Sequence, residues 1–318
     1  MIEGIPKISV LIICYKQQEL IKRAIDSLLV QKDYLYEICV SDDCSPDNTW
    51  QVLQNYRSQY PDLIKLHRNE HNVGIFENIE QSWTMPSGDM IYQLSGDDTV
   101  VDGYFKAVVN FIEQKKIDYK NEAFAIYSDF LVDYPNGDSK VCHNSAIAKY
   151  PNQALRLAMR SLISNRGTCY SIHVLRRFKN VSQGRSHIAE DIQDRLLQIN
   201  ADKNYYIPVV GNVYVANIGV SAHLSEEMKE ERRQIQHYTE KFLEANGIKI
   251  IKSDSSYGKF RRFSIEYKYH RSFSNFIKII RYAIGSFDFP LSFAGSEIRT
   301  IFFAILRRLP HKKPIHFN

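Results

Sequence analysis

Ile8–Cys14 is an unbroken apolar run rich in β-branched side chains, the pattern of a strand covered on both faces as in a parallel sheet. Over Glu19–Val30 the period changes, and Leu20, Ile21, Ala24, Ile25, Leu28 and Leu29 recur at helical spacing. Ile38–Ser41 reads as a second strand that runs into Asp42 and Asp43. The turn-and-cap cluster Ser45-Pro46-Asp47-Asn48-Thr49 then predicts a helix through Tyr56. Leu63–Leu66 is a third strand, and Gly74–Trp83 a helix with Ile75, Ile79 and Trp83 on one side. Met90–Leu94 is a fourth strand, ending at Ser95-Gly96-Asp97-Asp98.

Strand and helix alternating at this spacing predict right-handed βαβ units and a mostly parallel sheet. Ligands of such sheets bind beyond the C-terminal strand ends. Three polar clusters fall on that edge: Tyr15-Lys16, Asp42-Asp43 and Asp97-Asp98. The second half alternates less regularly. The pattern predicts a helix over Val101–Lys115, a strand over Ala123–Asp129, a tight turn or hairpin at Asn136-Gly137, a helix over Gln153–Ile163 and a strand over Thr168–His173. A helix over Glu190–Asn200 and two short strands, Tyr206–Val210 and Val213–Ile218, follow. A long charged helix spans about Glu226–Ala245, with Gly247 placed to cap it. The expected division is a catalytic α/β domain over 1–225 and a helical, basic extension over 226–318.

Composition narrows the class without naming a chemistry. With 318 residues, 44% hydrophobic and 24% charged, the chain can bury a large core and is neither disordered nor fibrous. Its five cysteines are odd in number and have no CxxC spacing, which argues against a disulfide framework or a structural zinc site and for a reducing cytosol. Cys14 and Cys39 lie in apolar runs and are expected to be buried. No stretch reaches about 20 consecutive apolar residues, so no membrane span is expected, and the first residues read as a strand rather than a signal peptide. A net charge of +5 says little about partners and gives no nucleic-acid signature, but its distribution is uneven. Phe302-Phe303-Ala304-Ile305-Leu306-Arg307-Arg308, followed by His311, Lys312 and Lys313, suits a helix packed on the core with a solvated basic face or, as the second reading, an anionic membrane surface.

The carboxylates carry the chemistry. A nucleoside diphosphate repels Asp97-Asp98 directly, but Mg²⁺ or Mn²⁺ prefers hard oxygen ligands and bridges carboxylate to phosphate. The competing role is a solvated pair capping the next helix. Asp42-Asp43 can accept hydrogen bonds from a base or a ribose, or cap a helix in competition with Ser45 and Asp47. Asn72-Val73-Gly74 offers a close backbone approach at a helix N-terminus. Glu190-Asp191 opens a helix, where the dipole favours carboxylates for structural reasons and also keeps Asp191 ionised as a general base must be. His223, in a loop, can touch diphosphate or metal, or be solvated. Arg166 and Arg185 can contact phosphate or acceptor, or serve ordinary surface roles.

Five stretches together, ISVLIICYKQQELIKRAIDSLLVQ, ICVSDDCSPDNT, LHRNEHNVGIFENI, GDMIYQLSGDD and AEDIQDRLL, resemble family-2 glycosyltransferases of the GT-A fold in order and spacing. The resemblance covers about Lys7–His223 and is strongest over Lys7–Gly103. It implies a nucleotide-contacting segment at Cys14-Tyr15-Lys16, a base-contacting Asp43 with Asp42 beside it, and a DxD-like motif at Ser95-Gly96-Asp97-Asp98. In that motif Asp98 is the implied metal ligand and Asp97 the ribose or sugar contact, and Asp191 is the implied catalytic base. The cofactor so implied is Mn²⁺ or Mg²⁺. The implied outcome is inversion by one direct displacement, from a nucleoside-diphosphate sugar, most commonly UDP-linked, to a glycan or lipid-linked hydroxyl in cell-surface polysaccharide synthesis. The implied location is the cytoplasm or the inner face of the plasma membrane. Two departures stand out: adjacent aspartates replace the strict DxD spacing, and Lys16 replaces the family's usual Asn. A sugar nucleotidyltransferase would need a Gly-rich loop after the first strand, where Tyr15-Lys16-Gln17-Gln18 has no glycine, and a dinucleotide oxidoreductase fails likewise. A non-catalytic sugar-nucleotide or glycan-binding subunit is the alternative of a different class.

Overall fold

The computed structural model describes residues 4–177, 197–216, 218, 226–269 and 272–287. The chain divides into two compact units, Met1–Arg232 and Arg233–Asn318. In the first unit, β1 (Ile8–Cys14) is flanked by β2 (Glu37–Asp42) and β4 (Met90–Ser95), with β3 (Ile64–Arg68) outside β2, all parallel. Ile8, Val10 and Ile12 are fully buried, which is why the run is apolar at nearly every position. The helices α1 (Leu20–Leu29), α2 (Thr49–Gln59) and α3 (Ile75–Ser82) connect these strands. On α1 the buried positions Ile21, Ala24, Ile25 and Leu28 are those the helical period selects.

Beyond β4 the sheet becomes mixed. After β5 (Thr99–Val100) and helix α4 (Tyr104–Lys115) come β6 (Phe124–Asp133), β7 (Ser139–Cys142), β8 (Thr168–Ser171) and β9 (Lys203–Val215). The nine strands run β3-β2-β1-β4-β8-β6-β9-β5, with β7 paired to β6. Strand β8 lies antiparallel between β4 and β6, so β6 points the same way as β4, and β9 is parallel to β6. Tyr92, Tyr104 and Phe105 pack at ring separations of 5.3–5.4 Å beneath the junction of the two sheet halves.

Several local expectations change in the second half. One continuous strand, Lys203–Val215, replaces the two short ones, because it pairs along β6 and absorbs Pro208 and Gly211 where the register shifts at Ser128/Asp129 and Asp129/Phe130. The strand expected over Thr168–His173 stops at Ser171, and Ile172–Arg176 is helical. The helix expected over Gln153–Ile163 contracts to Ala154–Met159 and ends before Ser161, which takes a left-handed φ of 55°. Strand β6 runs on to Asp133 and forms the Asn136-Gly137 hairpin with β7. The Glu190–Asn200 helix lies largely outside the described residues.

In the second unit, helix Lys252–Tyr269 packs Tyr257, Phe260 and Tyr267 against Ile279 and Ala283 of helix Phe273–Gly285. Phe263 stacks on Tyr282 with ring centroids 5.6 Å apart and an interplanar angle of 3°. Among the described residues no helix is long and apolar enough to cross a membrane.

Candidate active site

The C-terminal ends of β1, β2 and β4 carry the polar clusters that the sequence placed there, but the members of each pair do different work. Asp43 turns into the loop between β3 and α3. Its carboxylate accepts from Asn69 Nδ2 at 2.8 Å, the Val73 amide at 2.9 Å and the Gly74 amide at 2.9 Å. Asn72 Nδ2 donates to the Asp43 carbonyl at 3.4 Å. Gly74 needs its residue type, since its φ of +89° lies where side chains are rarely tolerated. Asn78 continues the network as an acceptor: its Oδ1 accepts from Asn69 Nδ2 at 3.2 Å and from Ser41 Oγ at 2.6 Å. Sequence reading missed Asn69 and Asn78. The available signal was Asn78 itself, a polar residue one position from Ile79 on the covered side of α3, where an amide needs a buried partner.

Asp42 is fully buried and faces the other way. Its carboxylate accepts from the Ser45 hydroxyl and amide, meets the Cys14 thiol at 3.8 Å and pairs with Arg68 Nε at 3.3 Å. Burial pushes its pKa up, and the Ser45 hydrogen bonds and the Arg68 charge hold it back. Asp42 thus ties two loops together. The Cys14 side chain is buried too, its thiol raised well above the ordinary range first by burial and then by Asp42. What Cys14 offers at the strand end is backbone, whose carbonyl accepts from the Asp43 amide at 3.0 Å. Lys16 is left-handed at φ 55°, donates its amide to Ser45 Oγ at 3.0 Å and lays its ammonium over the Tyr15 ring at 5.0 Å. Asn tolerates that backbone region better than most residues, which is a physical reason for the family's usual Asn at this turn.

At the end of β4, Gly96 sits against β1. A Cβ there would lie 2.3 Å from the mobile end of Gln17, 3.1 Å from Cys14 Cβ and 3.2 Å from the Ile13 carbonyl, so glycine lets the turn presenting Asp97 and Asp98 pack tightly on β1. Asp98 is 3% exposed, and its Oδ1 has no hydrogen-bond partner among the described residues. Burial first, and the neighbouring Asp97 charge second, push the Asp98 pKa up to about 7 against the pull of Arg166. Asp97 is raised for the same leading reason and lowered by Arg166. Arg166, expected to contact phosphate or acceptor or to serve an ordinary surface role, lies over the Tyr214 ring at 4.2 Å and lines a cavity of about 90 Å³ with Asp98, Ser95, Asn165 and Asn212. Asn165 Nδ2 and Asn212 Oδ1 likewise lack partners among the described residues. Asn212 was not singled out in the sequence, because only the β5–β9 pairing brings it near Asp98.

A divalent cation fits this donor set. A desolvated carboxylate oxygen with no donor, next to a second carboxylate, is costly alone and is what a hard cation complements. No group of three or more His, Cys, Asp or Glu among the described residues could hold a metal by protein ligands alone. The pair suits an ion that takes one or two carboxylates and completes its shell from substrate phosphates and water. Glu190, Asp191, Arg185 and His223 lie outside the described residues.

Comparison with known proteins bears on what this edge is for. The family model described as "Glycosyl transferase family 2" matches residues 9–178. The chain is 30% identical over 146 residues to the GalNAc(5)-diNAcBac-PP-undecaprenol beta-1,3-glucosyltransferase of Campylobacter jejuni, covering 45% of this chain and 44% of that protein. The chain spans less than half the length of the curated relatives it matches. Among solved structures it resembles S. aureus TarS 1-349 in complex with UDP-GlcNAc, with a TM-score of 0.57, 15% identity and coverage of 93% of this chain and 81% of that one. It also resembles GalNAc-T7 with UDP, GalNAc and Mn²⁺, with a TM-score of 0.51, 16% identity and coverage of 89% and 59%. These structures share its GT-A architecture of a mixed α/β sheet with a helical C-terminal region. The family model extends over more than half of the residues and takes in Asp42, Asp43, Asp97 and Asp98, and the chain belongs to glycosyl transferase family 2.

Proposed function

We propose that the chain transfers a sugar from a UDP-linked donor to a hydroxyl of a glycan or lipid-linked acceptor, with inversion at the anomeric carbon, in cell-surface polysaccharide synthesis such as capsule, O-antigen or lipopolysaccharide. The observation that carries the reading is the partnerless Oδ1 of Asp98 beside Asp97, on the same sheet edge as Asp43. Support for the donor comes from the UDP and UDP-GlcNAc of the structural neighbours, and for a lipid-linked acceptor from the Campylobacter relative's name.

In this reading Asp43, with the backbone of Cys14-Tyr15-Lys16, holds the nucleotide, and Asp97 contacts ribose or sugar. Asp98 holds Mn²⁺ or Mg²⁺, which when bound would neutralise the diphosphate and ease its departure. Arg166 adds positive charge on the same side. Asp191 takes the proton of the acceptor hydroxyl as its oxygen attacks the anomeric carbon. The bond from that carbon to the UDP oxygen breaks on the opposite face, so configuration inverts and UDP leaves. Asp191→Asn is expected to retain UDP-sugar affinity within about twofold and lose about 10²–10⁴-fold in transfer. Single-turnover transfer alongside donor titration checks this, and near-full turnover in the variant would remove Asp191 from the base role.

The second unit supports peripheral association with an anionic lipid surface on the cytoplasmic side. Residues 233–318 contain 16 Lys and Arg against 6 Asp and Glu, a formal +10, whereas the whole chain is +5 and the remainder therefore −5. On helix Phe273–Gly285 and the residues just after it, Phe273, Ile277, Ile284 and Phe287 are exposed by 48–72% and lie on one stripe at helical spacing. Ile277→Ser with Ile284→Ser is expected to reduce binding to vesicles of 30% anionic phosphatidylglycerol by about tenfold, with binding to neutral phosphatidylcholine weak throughout. Co-sedimentation measures this, and equal binding to both vesicles would contradict it.

A further inference from the structure

A second polar cluster stands at Asp129 of β6 and has no part in the roles above. Asp129, on β6, is only 6% exposed. It accepts from His143 Nδ1 at 2.7 Å, from the Asn144 amide at 3.0 Å and from Tyr206 Oη at 3.0 Å. A carboxylate can only accept when ionised, so the proton of a neutral His143 sits on Nδ1 and its Nε2 lone pair is turned outward. The imidazole side chain is 62% exposed. One ring nitrogen is therefore fixed by a buried acid while the other is offered to solvent, an arrangement that presents a preset acceptor.

The sheet register locates this acceptor. Ile91 pairs with Tyr170, which pairs with Ala125, so two strands level with β4 place Asp129 beside Ser95. Two strand spacings separate them, about 10 Å. The intervening gap is crossed by the segment that carries Arg166. Asn144, fully buried, ties the His143 loop to that segment: its Nδ2 donates to the Ser164 carbonyl at 2.9 Å, and its Oδ1 accepts from the Ser164 amide at 2.8 Å. Ser164 and Arg166 both line the cavity at Asp98. His143, held on Asp129, thus stands toward the same sheet edge as the aspartates, on its β6 side.

We infer that His143, oriented by Asp129 and Tyr206, binds a hydroxyl of the saccharide acceptor and contributes to acceptor specificity. The inference rests on the glycosyltransferase reading. A sugar hydroxyl both donates and accepts, so it satisfies the outward Nε2 while its ring spans toward Asp98.

The test measures UDP release by the full chain in Mn²⁺, from a UDP-sugar the wild type turns over, first to water alone and then to a series of octyl β-glycosides. His143→Ala is expected to leave release to water and the donor KM within about twofold, and to raise the glycoside KM by about tenfold or more with a smaller change in kcat. His143→Gln keeps an acceptor oxygen at similar reach and is expected to recover part of that loss. Asp129→Asn should shift the glycoside KM the same way. Equal loss of both reactions, an unchanged glycoside KM in His143→Ala, or no glycoside-dependent release by the wild type overturns the inference. No release to water from any UDP-sugar by the wild type overturns the glycosyltransferase reading and takes this inference with it.

Discussion

Asp98→Asn is expected to make the metal-free protein more stable at pH 8 while abolishing metal-dependent turnover. Asp98 is 3% exposed, its Oδ1 has no partner among the described residues, and Asp97 repels it. In the absence of a cation the ionised form is held in an environment that opposes it. Its folded-state pKa of about 7 lies above the ordinary carboxylate value near 3.8, so the folded chain keeps a proton that the unfolded chain has released. Protonation therefore favours the fold, and this contribution is lost as pH rises from about 4 to about 7. The neutral amide of Asn escapes that loss. The difference in unfolding free energy between variant and wild type in EDTA should be near zero at pH 4, grow across that window and level off above it at a few kcal/mol, on the order of 2–4. Denaturant unfolding at several pH values measures it. In Mn²⁺ the same substitution should reduce donor turnover by about 10² or more, because the uncharged amide cannot replace a carboxylate ligand. A variant less stable than wild type at pH 8 in EDTA would mean that the Val215 and Asn212 hydrogen bonds and the Arg166 charge outweigh the cost of burying the carboxylate.

The second large effect is at Asp43, with the opposite sign for stability. Its carboxylate collects the Asn69 amide and the backbone amides of Val73 and Gly74, all part-buried or buried. Asp43→Ala leaves these donors without an acceptor, at about 1–3 kcal/mol for each that water cannot reach, so a loss of about 3–5 kcal/mol is expected. Asp43→Asn keeps the volume but presents an NH₂ toward donors 2.9 Å away, and should also destabilise. Amide exchange of Val73 and Gly74 should speed up in both variants, and UDP affinity should fall by about tenfold or more, since the loop that frames the nucleotide side loses its anchor. Unchanged exchange at those two amides would remove Asp43 from this role.

These two aspartates show how far the sequence could be read. The strands β1 to β4 and helices α1 to α3 were legible because each buries a continuous or periodic apolar set, and that pattern is local. The placement of Asp43 and Asp97-Asp98 at strand ends followed from the alternation of elements. The difference between Asp42 and Asp43 did not follow. Successive side chains at a strand end point to opposite faces, and which face meets Arg68 and which meets Asn69 depends on a strand and loop folded from 26 residues away. The length of β9 was hidden for a similar reason. Gly211-Asn212 looks like a break in the sequence, whereas the long pairing with β6 carries the strand through it by shifting register. Asn212 reaches Asp98, and His143 reaches Asp129, only through pairings that span 77 or more residues in the sheet or a hairpin that folds back. The left-handed turn at Lys16 shows as a departure from the family's Asn, yet its cause is visible only in the backbone.

The claim at the centre is that Asp98 and a divalent cation together hold the diphosphate of a UDP-sugar. Calorimetric titration of UDP into the wild type with Mn²⁺, into the wild type with EDTA and into Asp98→Asn with Mn²⁺ addresses it directly. Binding in the first, with a loss of about tenfold or more in affinity in the other two, is the expected result. Equal UDP affinity in all three would contradict it.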